Sequence, residues 1–149
     1  MIGVLDLNIG NLGSVLNSLN SMEIKSKLVS YDEINKNFTH LIIPGVGSFP
    51  SAMKKENKTL IKDKILEFFE SRRPMLGICL GMQLFSDYGE EGEGAEGFGL
   101  ISGQVNQLPR KNNLVLPHVG WNSVKFIKKH PIFEGIKNEI DCYFVHSYH

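Results

Sequence analysis

Cys79 lies between two glycines in the stretch LGICLGMQLF, residues 76–85, which contains the form G-x-C-x-G. An apolar run precedes the cysteine and a run with helical spacing follows it, so it falls where a predicted strand meets a predicted helix. In the serine version of this pattern, a sharp strand-to-helix turn exposes the nucleophile above a sheet. Glycines are needed there because a Cβ would crowd the turn. The pattern predicts a nucleophilic thiol, and a small buried cysteine between packing glycines is the alternative.

A helix that begins near Leu80 would assist such a thiol in two ways. The positive end of its dipole favours the thiolate, and its free backbone N–H groups can donate to an oxyanion. The strip PGVG, residues 44–47, follows another apolar run, and its glycines would let a backbone N–H face a ligand. One N–H from this strip and the N–H of Leu80 would form a two-donor oxyanion hole. An ordinary β-turn is the alternative for the strip.

Strand and helix patterns alternate along residues 1–100 and must position these two motifs. They predict an α/β fold with an open, mainly parallel sheet flanked by helices. Ligands bind outside the carboxyl ends of the strands in such sheets, so we expect the strip and Cys79 to be neighbours. Strand-like runs without helices between them predict a strand-rich second half. The predicted strands are IGVLDL, KSKLVS, HLIIPGVG, PMLGIC, SGQVNQL, WNSVKFI and DCYFVHSY, and the predicted helices are NLGSVLNSLNSM, TLIKDKILEFFESRR and LGMQLFSDY.

Two of the predicted helices carry their apolar residues on one face, which indicates packing against the sheet. The inward residues are expected to be Leu12, Val15, Leu16 and Leu19 in the first helix, and Leu60, Ile61, Ile65, Leu66, Phe68 and Phe69 in the second.

Composition limits the function classes. The chain has 149 residues, 42% of them hydrophobic, and a formal net charge of +0. These values suit one globular domain with a core and give no basic footprint for nucleic acid. No apolar run approaches the roughly 18 residues of a membrane span, and the first residues lack the charged start and apolar centre of a signal peptide. We therefore expect a cytoplasmic protein with no nucleic-acid or membrane partner.

The sequence contains two cysteines, Cys79 and Cys142, in very different settings. A disulfide framework is not expected, which also favours a cytoplasmic address. Cys142 lies in the apolar run CYFV and is predicted to be a core residue. The acidic segment GEEGEGAEGFG, residues 89–99, predicts a mobile solvated loop rather than a metal site. We predict no metal and no cofactor.

Five motifs together resemble the class I glutamine amidotransferases, and most closely the glutaminase subunits of imidazole glycerol phosphate synthases from histidine biosynthesis. They occur in that family's order and span essentially the whole chain. The resemblance implies hydrolysis of glutamine to glutamate and ammonia, without a cofactor. It also implies a single amidotransferase domain over residues 1–149. The motifs are GNLGSV, LIIPGVGSF, GICLGMQLF, LPHVGWN and YFVHSY.

The resemblance also implies a role for each matching residue. Cys79 would attack the side-chain amide of glutamine and form a glutamyl thioester that water then cleaves. A backbone N–H at or beside Val46 and that of Leu80 would hold the oxyanion. Gly47 would give the substrate room, and Gln83 and the backbone around Ser147 and Tyr148 would hold the glutamine. The implied substrate-binding residues are Gly45, Gly47, Gln83, Ser147 and Tyr148.

A thiol nucleophile needs a base that is held in turn by a third group, and the family takes both from a late His-x-Glu segment. None of the five histidines begins such a segment. We expect a strand start at His40 and a solvated turn at His130, while His118 and His146 match family motifs that do not supply the base. His149 is the last residue. The 149 residues are therefore expected to lack the family's C-terminal part and to carry the nucleophile half of the active site without the base half.

The resemblance further implies a heterodimer in which ammonia passes to a (β/α)₈-barrel cyclase subunit. That cyclase makes imidazole glycerol phosphate and an aminoimidazole carboxamide ribotide. The alternatives are a paralogue that feeds a surface-sugar amidation synthetase, and a catalytically dead subunit that only binds its partner. Asn11 is equally suited to cap a helix, and Trp121 to anchor a core. The implied interface residues are Asn11, Ser14, His118, Trp121 and Asn122.

Overall fold

The computed structural model describes residues 1–54, 57–110 and 115–149. Two compact units divide the chain, Met1–Asn106 and Gln107–His149, and each is described by itself. The first unit contains β1 (Ile2–Leu5), α1 (Leu12–Ser21), β2 (Ser26–Val29), β3 (His40–Gly45), α2 (Phe49–Met53), α3 (Lys58–Glu70), β4 (Met75–Cys79), α4 (Leu80–Gln83), β5 (Tyr88–Gly89), β6 (Ala95–Glu96) and β7 (Gln104–Val105).

Four parallel strands form the main sheet of the first unit, in the order β2-β1-β3-β4. The two inner strands, β1 and β3, are short and largely apolar, as expected for strands of a parallel sheet that are covered on both faces. Val4, Leu41 and Ile43 are completely inaccessible to solvent. The predicted α/β fold with a mainly parallel sheet is confirmed.

Helices α1 and α3 turn one apolar face towards buried residues. In α1, Leu19 is buried, and Leu12, Val15 and Leu16 pack against a cluster that includes Val4, as predicted. In α3 the buried residues are Ile61, Ile65 and Phe68. The prediction was wrong for Leu60 and Phe69, which are 54% and 47% exposed. Successive helix residues point about 100° apart, so the direct neighbours of Ile61 and Phe68 leave the buried face.

The acidic segment 89–99 is part of a small sheet rather than a plain solvated loop. Strand β5 pairs antiparallel with β6 and parallel with β7. Phe98 is only 2% exposed, and its N–H donates to the carbonyl of Leu84 over 2.8 Å. The prediction of a solvated loop was wrong because this aromatic side chain enters the core of the first unit.

The second unit is built on an antiparallel pair, β8 (His118–Val124) and β9 (Ile140–His146), with a 3₁₀ turn at Pro131–Phe133 between them. None of its described residues is fully buried, because two strands alone cannot enclose a core. Cys142 is accordingly half-buried, so the prediction that it is a core residue was wrong. Among the described residues of both units, no helix is long and apolar enough to cross a membrane.

Candidate active site

Cys79 occupies the sharp turn between β4 and α4. Its backbone has φ 55° and ψ −120°, a conformation that costs a non-glycine residue on the order of 1–3 kcal/mol and clusters at functional sites. The side chain is exposed, which contradicts the alternative of a buried packing cysteine. The strand-to-helix turn predicted from the sequence is present, and the thiol is presented to solvent at its apex.

Both glycines of the G-x-C-x-G pattern are required by close backbone contacts. A Cβ at Gly81 would lie 1.8 Å from the carbonyl oxygen of Ile43, and a Cβ at Gly77 would lie 2.4 Å from the Cα of Met82. Neither neighbour is the end of a flexible side chain, so the backbone itself would have to move. The glycines therefore let α4 fold back tightly against the ends of β3 and β4.

The strip at residues 44–47 lies beside the cysteine. In the parallel pairing of β3 with β4, Gly45 is the register partner of Cys79. A Cβ at Gly45 would meet the backbone N of Gly81 at 2.9 Å and the Cβ of Leu80 at 3.2 Å. Glycine at position 45 thus permits direct contact between the backbone of the strip and the backbone of the turn.

Two backbone N–H groups at this junction are candidates for an oxyanion hole. The Leu80 side chain is buried, so only its backbone can face a ligand. On the strip, the Val46 side chain is exposed. Gly47 has φ +114°, with open space where a Cβ would point. The arrangement sets an exposed thiol beside the backbone of a second segment, and donation by the Val46 and Leu80 N–H groups stays a prediction.

The helix that follows the cysteine is shorter than predicted. We expected LGMQLFSDY to be helical, but α4 ends at Gln83. The carbonyls of Leu84 and Phe85, which could continue the helix, instead accept the N–H groups of Phe98 and Leu100 over 2.8 Å each. The helix that begins after Cys79 is therefore a single turn. Gln83 lies at the end of this turn, four residues after the cysteine, and is half-buried.

Glu91 is a residue that the sequence reasoning missed. Its carboxylate Oε2 accepts the backbone N–H of Phe49 over 2.7 Å in a partly buried position. Phe49 is the first residue of α2, and only Ser48 separates it from the strip. Glu91 thus holds the segment that continues from Gly47. Its position inside an acidic glycine-rich run gave no signal of this contact.

In the second unit, His118 and His146 face each other across β8 and β9. His118 Nδ1 lies 3.0 Å from His146 Nε2, and His146 Nδ1 lies 3.0 Å from the carbonyl oxygen of Tyr148. The carbonyl of Ser147 accepts the N–H of Leu108 over 2.8 Å. Through His146, the structure therefore joins Tyr148, expected at the glutamine site, to His118, expected at the partner interface.

The interface residues expected from β8 do not share one face. Side chains alternate along a strand, so His118 and Asn122 lie on one face of the hairpin and Trp121 on the other. Trp121 is 69% exposed and meets Tyr143 edge-to-face at a ring-centroid distance of 5.5 Å. The alternative that Trp121 anchors a core is therefore wrong for this unit.

In the first unit, Asn11 caps helix α1. Its Oδ1 accepts the N–H of Ser14 over 3.2 Å, as a good N-cap residue does. Both side chains are exposed. The capping role is compatible with a role in partner binding, because the cap uses only one face of the Asn11 side chain.

Comparison with known proteins matches residues 3–149 to the family model of class-I glutamine amidotransferases. The chain belongs to the class-I glutamine amidotransferase family. Among its curated relatives is the imidazole glycerol phosphate synthase subunit HisH of Methanocaldococcus jannaschii, 44% identical over 100% of this chain and 74% of the relative. The subunit of the same name from Caldanaerobacter subterraneus subsp. tengcongensis is 44% identical over 100% of this chain and 72% of its own length.

Solved amidotransferases share the fold of this one. The crystal structure of a glutamine amidotransferase matches with a TM-score of 0.70 and 19% identity, covering 99% of this chain and 71% of the other. A glutamine amidotransferase from Thermotoga maritima matches with a TM-score of 0.65 and 14% identity, covering 99% of this chain and 60% of the other. These similarities confirm the fold class inferred from the sequence.

Among the described residues of the first unit, no histidine lies beside the Cys79 turn. His40 is the first residue of the six-residue strand β3, and the other end of that strand adjoins Cys79. At the usual rise of a strand, the two ends of β3 are roughly 16 Å apart. His118 and His146 bond to each other in the second unit, and His130 Nδ1 accepts the N–H of Ile132. Among the described residues, no group of three or more His, Cys, Asp or Glu side chains could hold a metal ion.

Proposed function

We propose that this chain is the glutaminase subunit of an imidazole glycerol phosphate synthase. It would hydrolyse glutamine to glutamate and deliver the ammonia to a synthase partner. The observation that carries the proposal is the pairing of Gly45 with Cys79, which sets a glycine strip against an exposed thiol. Relatives named as HisH subunits, 44% identical over the whole chain, support the same activity.

In the proposed reaction, the Cys79 sulfur attacks the side-chain amide carbon of glutamine. The carbonyl oxygen gains negative charge, and the N–H groups at Val46 and Leu80 donate to it. The carbon–nitrogen bond then breaks, and the thiol proton leaves with the nitrogen as ammonia. Water cleaves the resulting thioester to glutamate and restores the thiol. A His-x-Glu pair would carry these protons in the family, and the 149 residues contain none.

The same proposal includes the substrate contacts. Gly47 would leave room for the bound glutamine, which the open space there supports, and Gly45 would contribute by letting the strip lie against the turn. Gln83 and the backbone at Ser147 and Tyr148 would hold its polar ends. Two carbonyls in that last segment already accept hydrogen bonds within the second unit, which favours a fixed backbone there.

We propose a (β/α)₈-barrel cyclase as the partner, bound as a heterodimer in the cytoplasm. A direct passage would keep ammonia from solvent. The exposed positions of Asn11 and Ser14 in one unit and of Trp121 and Asn122 in the other are compatible with this role. The two cysteines are unpaired, which suits a reducing compartment.

A catalytically dead, partner-binding subunit is the second candidate. A paralogue serving a surface-sugar amidation synthetase is the third, and the genes beside this one would separate it from the first. A glutaminase assay with and without added cyclase separates both enzyme functions from the dead subunit. Glutamate release that depends on Cys79 supports an enzyme, whereas partner binding without any modification of Cys79 by a glutamine analogue supports the dead subunit.

A further inference from the structure

A chain of two hydrogen bonds crosses the end of the β8–β9 hairpin. His118 Nδ1 and His146 Nε2 are 3.0 Å apart, and His146 Nδ1 is 3.0 Å from the Tyr148 carbonyl oxygen. Both distances are in the range of good hydrogen bonds. Phe144 packs against this pair, with its ring stacked on His118 at a centroid distance of 5.4 Å.

The acceptor at one end of this chain fixes the direction of both bonds. A carbonyl oxygen only accepts, so His146 Nδ1 must carry the hydrogen. The Nε2 atom of a neutral His146 is then an acceptor, and His118 Nδ1 must be the donor to it. The geometry therefore assigns the Nδ1–H tautomer to both rings when both are neutral.

We propose that His146 is a positioning residue, which holds the Tyr148 carbonyl and thereby orients the Ser147–Tyr148 backbone, and that His118 supports the same tautomer by donating to its Nε2. The inference rests on the proposed function in taking that backbone as part of the glutamine site. Because the resemblance places His118 at the partner interface, the two bonds also link that interface to the substrate segment.

Other contacts also hold the segment on which His146 acts. The carbonyl of Ser147 accepts the N–H of Leu108, and Tyr148 pairs with Gln107 in an isolated bridge. The bond from His146 is the hydrogen bond that fixes the direction of the Tyr148 carbonyl. Its loss would remove a constraint on the peptide plane after Tyr148, and that backbone would be less well pre-arranged for a ligand.

The first test reads the tautomers directly in the unsubstituted chain. Long-range nitrogen–proton NMR spectra of histidine rings, recorded at mildly alkaline pH where an ordinary histidine is neutral, separate the two forms. The signals are assigned from the spectra of His118→Gln and His146→Gln. We expect Nδ1–H in both rings. An Nε2–H tautomer at His146 would overturn the proposal, because Tyr148 could not then be its acceptor.

The second test uses amide side chains that copy one ring nitrogen each. In His146→Asn, the amide N–H lies near the position of the ring Nδ1, so the donor to the Tyr148 carbonyl is kept. In His146→Gln, the amide lies near the position of Nε2, and the donor to Tyr148 is lost. The readout is how well glutamine protects Cys79 from a diazoketone analogue of glutamine. We expect glutamine to bind His146→Gln about threefold to tenfold more weakly, as one lost hydrogen bond predicts, and His146→Asn close to the unsubstituted chain.

Controls separate this role from a general structural one. The rate at which iodoacetamide alkylates Cys79 should be the same in all variants, and His130→Asn should leave protection by glutamine unchanged. Equal losses in His146→Asn and His146→Gln would contradict the proposal. If glutamine does not protect Cys79 of the unsubstituted chain, the proposed function is wrong. The role of His146 is then judged from its tautomer alone.

Discussion

Gly45 and Cys79 are register partners at the carboxyl ends of two adjacent parallel strands. The pairing brings together two motifs that are well separated in the sequence. It also explains the residue types, because a side chain at position 45 would press on the backbone of the turn that carries the thiol. The chemistry proposed for this amidotransferase depends on that contact.

We predict that Gly81→Ala destabilises the protein by about 1–3 kcal/mol or more, as overpacking does. The new methyl group would overlap the carbonyl oxygen of Ile43. Chemical denaturation measures the free energy of unfolding. Gly13→Ala is the matched control, since position 13 is helical and its nearest atom is 3.9 Å away. This control should gain roughly 0.5–1 kcal/mol, and equal effects at the two positions would contradict the packing described for the turn.

Glu91→Ala should lower the free energy of unfolding by about 1–3 kcal/mol, because it leaves the partly buried N–H of Phe49 without its acceptor. Glu91→Gln keeps an oxygen at a similar position and should cost less. Thermal unfolding of both variants measures the difference. Identical unfolding temperatures for Glu91→Ala and Glu91→Gln would show that this hydrogen bond does not hold the start of α2.

The Lys27 side chain, together with the backbone and hydroxyl of Ser30, lowers the pKa of the Glu33 carboxyl from 4.5 to about 2. Because the pKa is lowered in the folded state, the ionised carboxylate stabilises the fold above about pH 4.5, and this contribution is lost as the pH falls towards 2. An NMR titration should show the low midpoint, and Lys27→Gln should raise it. The Glu67 carboxyl, whose pKa is lowered by Lys64, is the control and should not respond to Lys27→Gln.

We predict that the 149-residue chain mixed with a cyclase partner releases glutamate slowly. General acid–base catalysis typically contributes about 10²–10⁴ in rate, and the sequence contains no His-x-Glu pair to supply it. A chain extended by such a segment should release glutamate faster by a factor of that order. Equal rates would show that one of the five histidines is the base.

The cysteine turn could be predicted from sequence because part of its cause is local. Glycine at position 77 is required by the backbone of Met82, within the same turn, so the pentapeptide carries that signal. Glycine at position 81 is required by the carbonyl oxygen of Ile43 in β3, a contact that only the folded sheet shows. The parallel sheet followed from apolar runs that alternate with amphipathic helices, so there the physical cause lies within the pattern itself.

Contacts between distant segments explain what the sequence did not predict. The early end of α4 depends on Phe98 and Leu100, which bind the carbonyls of Leu84 and Phe85. The pair formed by His118 and His146 depends on the register of β8 with β9, which periodicity cannot fix. By contrast, Trp121 and Asn122 point to opposite faces because successive side chains alternate along a strand. This difference could have been predicted from the sequence.

The decisive measurement asks whether Cys79 is the nucleophile of a glutamine site. The chain is exposed to the diazoketone analogue of glutamine, with and without glutamine. Peptide mass spectrometry then locates the adduct. Cys79 is exposed in a strained turn and Cys142 is half-buried in a strand. We expect an adduct on Cys79 alone, suppressed by glutamine and not by glutamate. An adduct on Cys142 alone in the folded protein, or labelling of Cys79 that glutamine does not slow, would contradict it.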